Sequence, residues 1–435
     1  MKYHIRCLIL SAALTAYLPG LQSFGQETQS FPSFLTLSKA VELSLLFHPS
    51  LRSAEANVQS SVASVTLARS AYFPMLSVTG SATRTDGAFV FNPAIPPRIQ
   101  SYNNYTAALN LQQTIYDFGK TGGRVSGTED LLQASTVDRE GTRENVISNV
   151  ETAYYGVLQV QRVVQVNVET LSQAEAHLVE ARAGFSIGTR PQFDVTKSQV
   201  DVANANVNLI TARNQLRIAR LQLETAVGVH ASNPYELADS LGVVPFSMSL
   251  DSARVIALSS RQDLLSARAR VRGSESFVTA AVGQHLPTLS LSGTWNWSGF
   301  DFPLQSRWNG GLTLSVPLFQ GSAITAQVDQ ARANLESAEA TLALAVQNAT
   351  LDVEQNYLSL KEAAERIDAT AKLIEQANES LKLAEGRYRA GVGSAIEITD
   401  AQVTLANARL SNIRALYDYN TSLVGLKRAM GVLER

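Results

Sequence analysis

The carboxylates Glu397 and Asp400 stand three residues apart, just beyond the segment RYRAGVGS (Arg387 to Ser394). That spacing puts both on one face of a helix. Two acids so placed could act as general acid and base, or could attract a cation. A third acid, Asp194, follows a related segment, FSIGTRPQFDV (Phe185 to Val195). Acid–base chemistry needs a substrate cleft with polar and aromatic walls, and the sequence around these acids supplies none. His48, His177, His230 and His285 are scattered without metal-ligand spacing, and no phosphate cradle, nucleophile elbow or HExxH run occurs. The reading is therefore no enzyme, no cofactor and no metal. Ser394 and Glu397 also have capping-box spacing, and acids favour helix N-termini in any case. On spacing alone the pair reads as a helix start.

The elements that must position these turns form a duplication. Val150, Glu151 and Tyr154 recur as Val353, Glu354 and Tyr357, and Ala203-Asn204-Ala205 recurs as Ala406-Asn407-Ala408. Residues 105–229 are echoed by 308–432 at a constant offset. The preceding segments match through a slightly larger one, as Leu37, Pro74 and Gly80 match Leu250, Pro287 and Gly293. One loop therefore differs in length between two copies of one unit. Each copy reads as helix, strand, loop, strand, very long helix, tight turn and returning helix. The first repeat spans 26–246, with strands near 74–88 and 102–116, a helical hairpin over 119–228 and a linker at 230–246. The second spans 247–435, with strands near 287–298 and 307–319 and a hairpin over 321–431. Asn92 to Gln100, with three prolines, is expected to be an irregular loop.

The strands alternate with period two. Leu289, Leu291, Gly293, Trp295 and Trp297 oppose Ser290, Ser292, Thr294, Asn296 and Ser298, and Leu76, Val78 and Gly80 oppose Ser77, Thr79 and Ser81. Such a pattern fits a transmembrane barrel with a wet lumen; it also fits a half-buried soluble sheet. Aromatic residues near the strand ends (Tyr72, Phe73, Tyr116, Phe118, Trp308, Phe319) favour the barrel, as an interfacial girdle would. Four strands cannot close a barrel, so the chain must oligomerise. The proline-free stretch from Gly119 to Ile187, as helix, would run roughly 100 Å. In its copy, Leu335, Ala338, Leu342, Ala345 and Ala349 form one apolar seam, and Ala333, Ala340, Leu344, Leu351 and Leu358 a second. The seams lie roughly 160° apart, which suits a helix with a neighbour on each side.

Charge is nearly balanced, with 36 basic and 38 acidic residues, so the basic footprint of a nucleic-acid binder is missing. Lys2 and Arg6, the apolar run Leu8 to Leu18 and the small residues near Gly25 read as a secretory signal over 1–25. Cys7, the single cysteine, lies inside it. No later run is long and apolar enough for a membrane helix, so the mature chain is expected either to float free outside the cytoplasm or to cross a membrane as strands.

Tyr72-Phe73-Pro74 at the first strand, Val316-Pro317-Leu318-Phe319 at the end of the fourth, and the two turn segments together resemble the TolC-like outer membrane efflux proteins. The likeness covers nearly all of the chain after the signal. It implies a mainly α protein with a transmembrane β-barrel: a homotrimer in which twelve strands form one barrel and twelve helices a periplasmic tunnel. It also implies an outer-membrane exit duct that passively receives substrate from a periplasmic adaptor and an inner-membrane transporter. Ile187, Gly188, Thr189, Gly391, Val392 and Gly393 become adaptor-contact candidates, with Arg190 and Tyr388 as further tip candidates. Glu397 and Asp400 match the acidic entrance and would form stacked carboxylate rings in a trimer. The second-turn arginine common in the family is replaced here by Gly393, and the first turn carries Arg190 instead. A self-sufficient porin or a structural periplasmic spacer would share the strands and helices but not need a closed tip.

Overall fold

The computed structural model describes residues 32–89, 98–230 and 234–433. The expected signal segment and Asn92 lie outside them. In chain order the elements are β1 (Phe34–Leu35), α1 (Leu37–Phe47), α2 (Pro49–Arg69), a 3-10 turn (Ser70–Tyr72), β2 (Met75–Phe89), β3 (Arg98–Tyr116), α3 (Lys120–Ser186), α4 (Gln192–Val227), β4 (Glu236–Leu237), α5 (Leu250–Ser260), α6 (Gln262–Gly283), β5 (Thr288–Gly299), β6 (Gln305–Ser315), α7 (Ala323–Arg389) and α8 (Ala395–Met430). The duplication is explicit in the lengths: α3 and α7 have 67 residues each, and α4 and α8 have 36 each.

Alternation in sequence becomes two faces of one sheet. The strands pair antiparallel in the order β2-β3-β5-β6. Val78, Leu109, Trp295 and Trp308 are aligned across all four strands, and so are Leu76, Leu111, Gly293 and Gly310. One step along, Ser77, Asn110, Thr294 and Asn309 form a polar row, in which Thr294 Oγ1 donates to Asn110 Oδ1 at 3.2 Å. Directly paired residues share a face, so over these rows one side of the sheet is apolar and the other polar. Leu76, Val78, Trp308, Leu312 and Leu314 stay exposed on the apolar side. A lipid-facing surface requires that exposure.

Several expected boundaries move. Arg98 to Gln100, read as loop, belong to β3 and pair with Gly87 to Phe89, because the strand ladder continues past the predicted end. The fourth strand starts at Gln305 and stops at Ser315. Pro317 has no N–H to give a ladder, so Val316 to Phe319 fall outside the strand. The helix before each barrel hairpin is two helices. His48 and Arg261 hold extended backbone at the breaks, and Pro49 takes the first position of α2, where a missing N–H costs nothing.

The long helices lie side by side. Below the sheet α3 packs on α4, α6 and α8, while α7 packs on α8 and α6. Around the middle of the hairpins a buried cluster joins Ile147, Val150, Tyr154, Val157, Leu223 and Val227 to Leu35 and Leu241. The expected linker is partly structured there, with β4 pairing parallel to β1. The Tyr154 hydroxyl lies 2.7 Å from the Ala238 carbonyl and 3.0 Å from that of Leu35, binding both strands to α3. Burial pushes this phenol up to about 12, so it remains a donor at any physiological pH. Tyr419 donates to Val244 O at 2.6 Å and ties down the same segment from α8.

The two seams of α7 have different fates. Ala349 is buried and Leu335, Ala338, Leu342 and Ala345 are half-buried within the protomer. Leu344, Leu351 and Leu358 of the second seam are 56, 60 and 61% exposed.

Candidate site at the hairpin tips

The far ends of the helical hairpins carry the residues singled out from sequence. At the first turn α3 stops because Gly188 takes φ +77°, a left-handed conformation that glycine enters without a Cβ penalty. The Gly188 N–H donates to Phe185 O at 3.0 Å and that of Thr189 to Gly184 O at 2.9 Å, a Schellman closure. The second turn repeats it: Gly391 has φ +79°, Gly391 N–H donates to Tyr388 O, and Val392 N–H donates to Arg387 O, both at 3.0 Å. Ile187 and Val392 project into solvent from these turns. Gly393 has a steric reason of its own, since a Cβ there would meet Tyr388 N at 2.9 Å.

Arg190 and Tyr388 come from different hairpins and meet. The guanidinium carbon of Arg190 sits 3.7 Å from the centroid of the Tyr388 ring, and Arg190 also donates to the Tyr388 carbonyl. The Tyr388 hydroxyl donates to Asp194 Oδ2 at 3.4 Å. Tyr388 is only 4% exposed, and Asp194 is buried as well. Burial raises the Tyr388 pKa; Arg190 pulls it back and Asp194 pushes it further up. One aromatic ring is thus held by a cation on its face and a carboxylate at its hydroxyl. Just behind, Thr399 Oγ1 of α8 donates to Asp201 Oδ2 of α4 at 3.0 Å, beside a cavity of about 20 Å³ lined by His177, Ser198 and Gln402. The sequence flagged Arg190 and Tyr388 singly. Their partnership with Asp194 joins residues about 200 positions apart, and no local pattern announces it.

The two candidate entrance acids are not equivalent. Glu397 completes a reciprocal capping box with Ser394 (3.3 and 3.4 Å) and accepts from Arg387 Nε at 3.1 Å. It is therefore engaged within its own turn. Asp400 is exposed, one helical turn further along the same face of α8. Among the described residues, no group of three or more His, Cys, Asp or Glu side chains could hold a metal. No described helix is long and apolar enough to cross a membrane.

A two-faced four-stranded sheet above paired 67-residue helices is a specific architecture, and comparison with known proteins identifies it. The profile of the outer membrane efflux protein family matches residues 40–229 and 254–432, one stretch for each repeat. The chain belongs to the outer membrane efflux protein family. Outer membrane protein TolC of Salmonella enteritidis is 26% identical over 429 residues, covering 93% of this chain and 84% of that protein. The crystal structure of the Campylobacter jejuni CmeC outer membrane channel superposes with a TM-score of 0.83 at 19% identity, covering 91% of this chain and 85% of that one. Vibrio cholerae VceC gives 0.81 at 19% identity, with 91 and 96% covered. This efflux protein is accordingly an outer-membrane transport protein of a Gram-negative bacterium, mainly α-helical with a β-barrel portion. Its relatives are named as outer membrane channels and efflux pump proteins.

Proposed function

We propose that this efflux protein is a homotrimeric exit duct, in which twelve strands close one barrel and twelve helices one tunnel. Substrate would pass passively from an inner-membrane transporter, through a periplasmic adaptor docked at the tips, to the exterior. The observation that carries this reading is that the protomer has matched open edges in both layers. The sheet ends on β2 and β6, whose ladders are unpaired on their outer sides; lipid does not tolerate such edges. In the helical layer α2 and α4 form one edge and α7 the other, with Val62, Leu67, Val200, Val207, Ile210 and Leu221 exposed on one and Leu344, Leu351 and Leu358 on the other. Joining the β6/α7 edge of one copy to the β2/α4 edge of the next satisfies both layers at once, and such a head-to-tail contact closes into a ring.

The adaptor would contact Ile187, Gly188 and Thr189 with Gly391, Val392 and Gly393, where exposed apolar side chains stand on rigid turns. Asp400 supplies the negative charge of the entrance, with Glu397 behind it. The Arg190–Tyr388–Asp194 cluster, which ties one hairpin tip to the other, favours a closed resting entrance over an open porin.

The mass of the purified detergent complex tests the assembly. Three protomers are expected, and introducing Leu351→Glu with Leu358→Glu should yield monomers of unchanged helix content. A native monomer, or a trimer that survives both glutamates, overturns the edge-to-edge ring. Conductance in a planar bilayer tests the closed tip: low current is expected, and a steadily open pore would favour the porin reading.

A further inference from the structure

The polar face of the sheet is almost free of charge. Arg98, paired with Phe89 at the outer end of β3, shares its parity; below that, the positions are Ser77, Thr79, Ser81 and Thr83 on β2 and their aligned partners on β3, β5 and β6, and these are serine, threonine, asparagine, glutamine and alanine with one exception. The exception is Arg307 on β6, paired with Asn296 and through it aligned with Ala108 and Thr79. Arg84 and Asp86 fall at positions of the opposite parity, on the apolar face. Arg307 is exposed. It stands eight residues above the base of its strand at Ser315, about 27 Å along the strand and about 20 Å up the barrel after tilt. That height is near the outer mouth, where the Tyr102 and Phe300 rings meet edge to face at 5.2 Å. The nearest carboxylate in the β5–β6 loop, Asp301, lies beyond the end of β5.

We infer that Arg307 makes the barrel lumen an anion-attracting exit: three guanidinium groups, one from each copy, ring a pore whose wall positions aligned with Ser77 to Thr83 are otherwise neutral. The inference rests on the duct reading, because the polar face must line the lumen and the copies must close it. A positive ring in a narrow, low-dielectric wall concentrates counter-ions and raises the local anion density. Solutes leaving the duct therefore pass from an entrance carrying Asp400 to an exit carrying Arg307, opposite in sign. The chemical class favoured at the exit is the small organic anion, and the aromatic pair just above suits anions that also carry a ring.

A local chemical probe tests this without depending on the state of the tip. Asn309→Cys places a thiol two residues from Arg307 on the same face, and Asn296→Cys places one directly opposite. Each is introduced into a Cys7→Ser chain, purified as the full assembly. The reaction rates with an anionic and a cationic methanethiosulfonate of similar size give a ratio that reports the local potential. At about 7 Å, replacing Arg307→Gln should lower the anion-to-cation ratio about fivefold at low ionic strength and about twofold at physiological salt. Arg307→Lys should hold the ratio near the parent value, and Arg307→Glu should invert it. An unchanged ratio in the glutamine variant at both reporters overturns the inference. Failure of the duct reading looks different: cysteines at Asn309 and Asn296 would be unreactive to both reagents while Leu312→Cys, on the apolar face, reacted.

Discussion

Arg190→Ala should loosen the contact between the hairpin tips while leaving the rest of the assembly intact. Arg190 makes two contacts that alanine cannot, a stack on the Tyr388 ring at 3.7 Å and a hydrogen bond to the Tyr388 carbonyl. The stack is worth about 1 kcal/mol at a partly exposed site. The hydrogen bond adds about another 1 kcal/mol net. Losing about 2 kcal/mol raises the population of the separated tips about 30-fold, at 1.4 kcal/mol per decade. Across the two hairpins Tyr388 would keep its long 3.4 Å bond to Asp194. Amide hydrogen exchange is the assay. Exchange at Gly188, Thr189, Gly391 and Val392 should accelerate about 30-fold, while the buried cluster around Tyr154 exchanges as before. Arg190→Lys should recover less than half of the protection, because an ammonium cannot reproduce the planar stack. Unchanged exchange at the turns in Arg190→Ala would refute the assignment. Equal acceleration at the tips and around Tyr154 would refute it too, since the residue would then be supporting the whole fold.

Three further outcomes are expected. Asp400→Ala should remove most of the block of residual current by multivalent cations, whereas Glu397→Ala should remove little of it and cost about 1 kcal/mol of local helix stability, because Glu397 is bound to Ser394 and Arg387; wild-type block in Asp400→Ala would show that the acids only shape the helix start. The α1–α2 junction should weaken in acid: His48 Nδ1 accepts from Ser50 N–H at 3.2 Å and burial lowers the His48 pKa, so the unfolded chain binds the proton more readily. Its contribution is therefore full above the ordinary histidine value near 6.5 and is lost as pH falls through the lower folded value; limited proteolysis from pH 7 to 5 should reveal this, and His48→Asn should flatten the profile. Phe302→Cys in the β5–β6 loop should label with a membrane-impermeant maleimide on intact cells, and labelling only after rupture of the outer membrane would reverse the orientation of the barrel.

The strands were legible because a barrel wall must alternate. Leu289 to Trp297 spell out that requirement with no tertiary information, and the register then aligns them with Leu109 and Trp308. The hairpin turns were legible through Gly188 and Gly391, whose positive φ few other residues adopt at low cost. Strand ends were less so, because a ladder runs until a residue such as Pro317 stops it, and Arg98 to Gln100 carry no such stop. The parallel pairing of β1 with β4 was invisible in sequence. Two residues per strand make no periodic signal, and the pair exists because the buried Tyr154 hydroxyl reaches both. The capping role weighed for Glu397 and Asp400 falls to Glu397 for a related reason. Spacing gives the shared helix face, but only the position of Arg387 decides which carboxylate is occupied.

The unequal barrel hairpins shape what the cell presents to its surroundings. β2 is three residues longer than β5, and β3 is longer than β6; each added residue lengthens a strand by about 3.4 Å. In the proposed three-fold ring, tall and short hairpins would alternate around the rim, like a battlement with three merlons. An antibody or a phage tail fibre approaching the cell would then meet the outer ends of β2 and β3 first, with the β5–β6 loops in the notches between them. Sequence drift driven by such attackers should therefore gather on the crests of the first repeat and spare the second, so that the two halves of one ancient duplication age at different rates on the same surface.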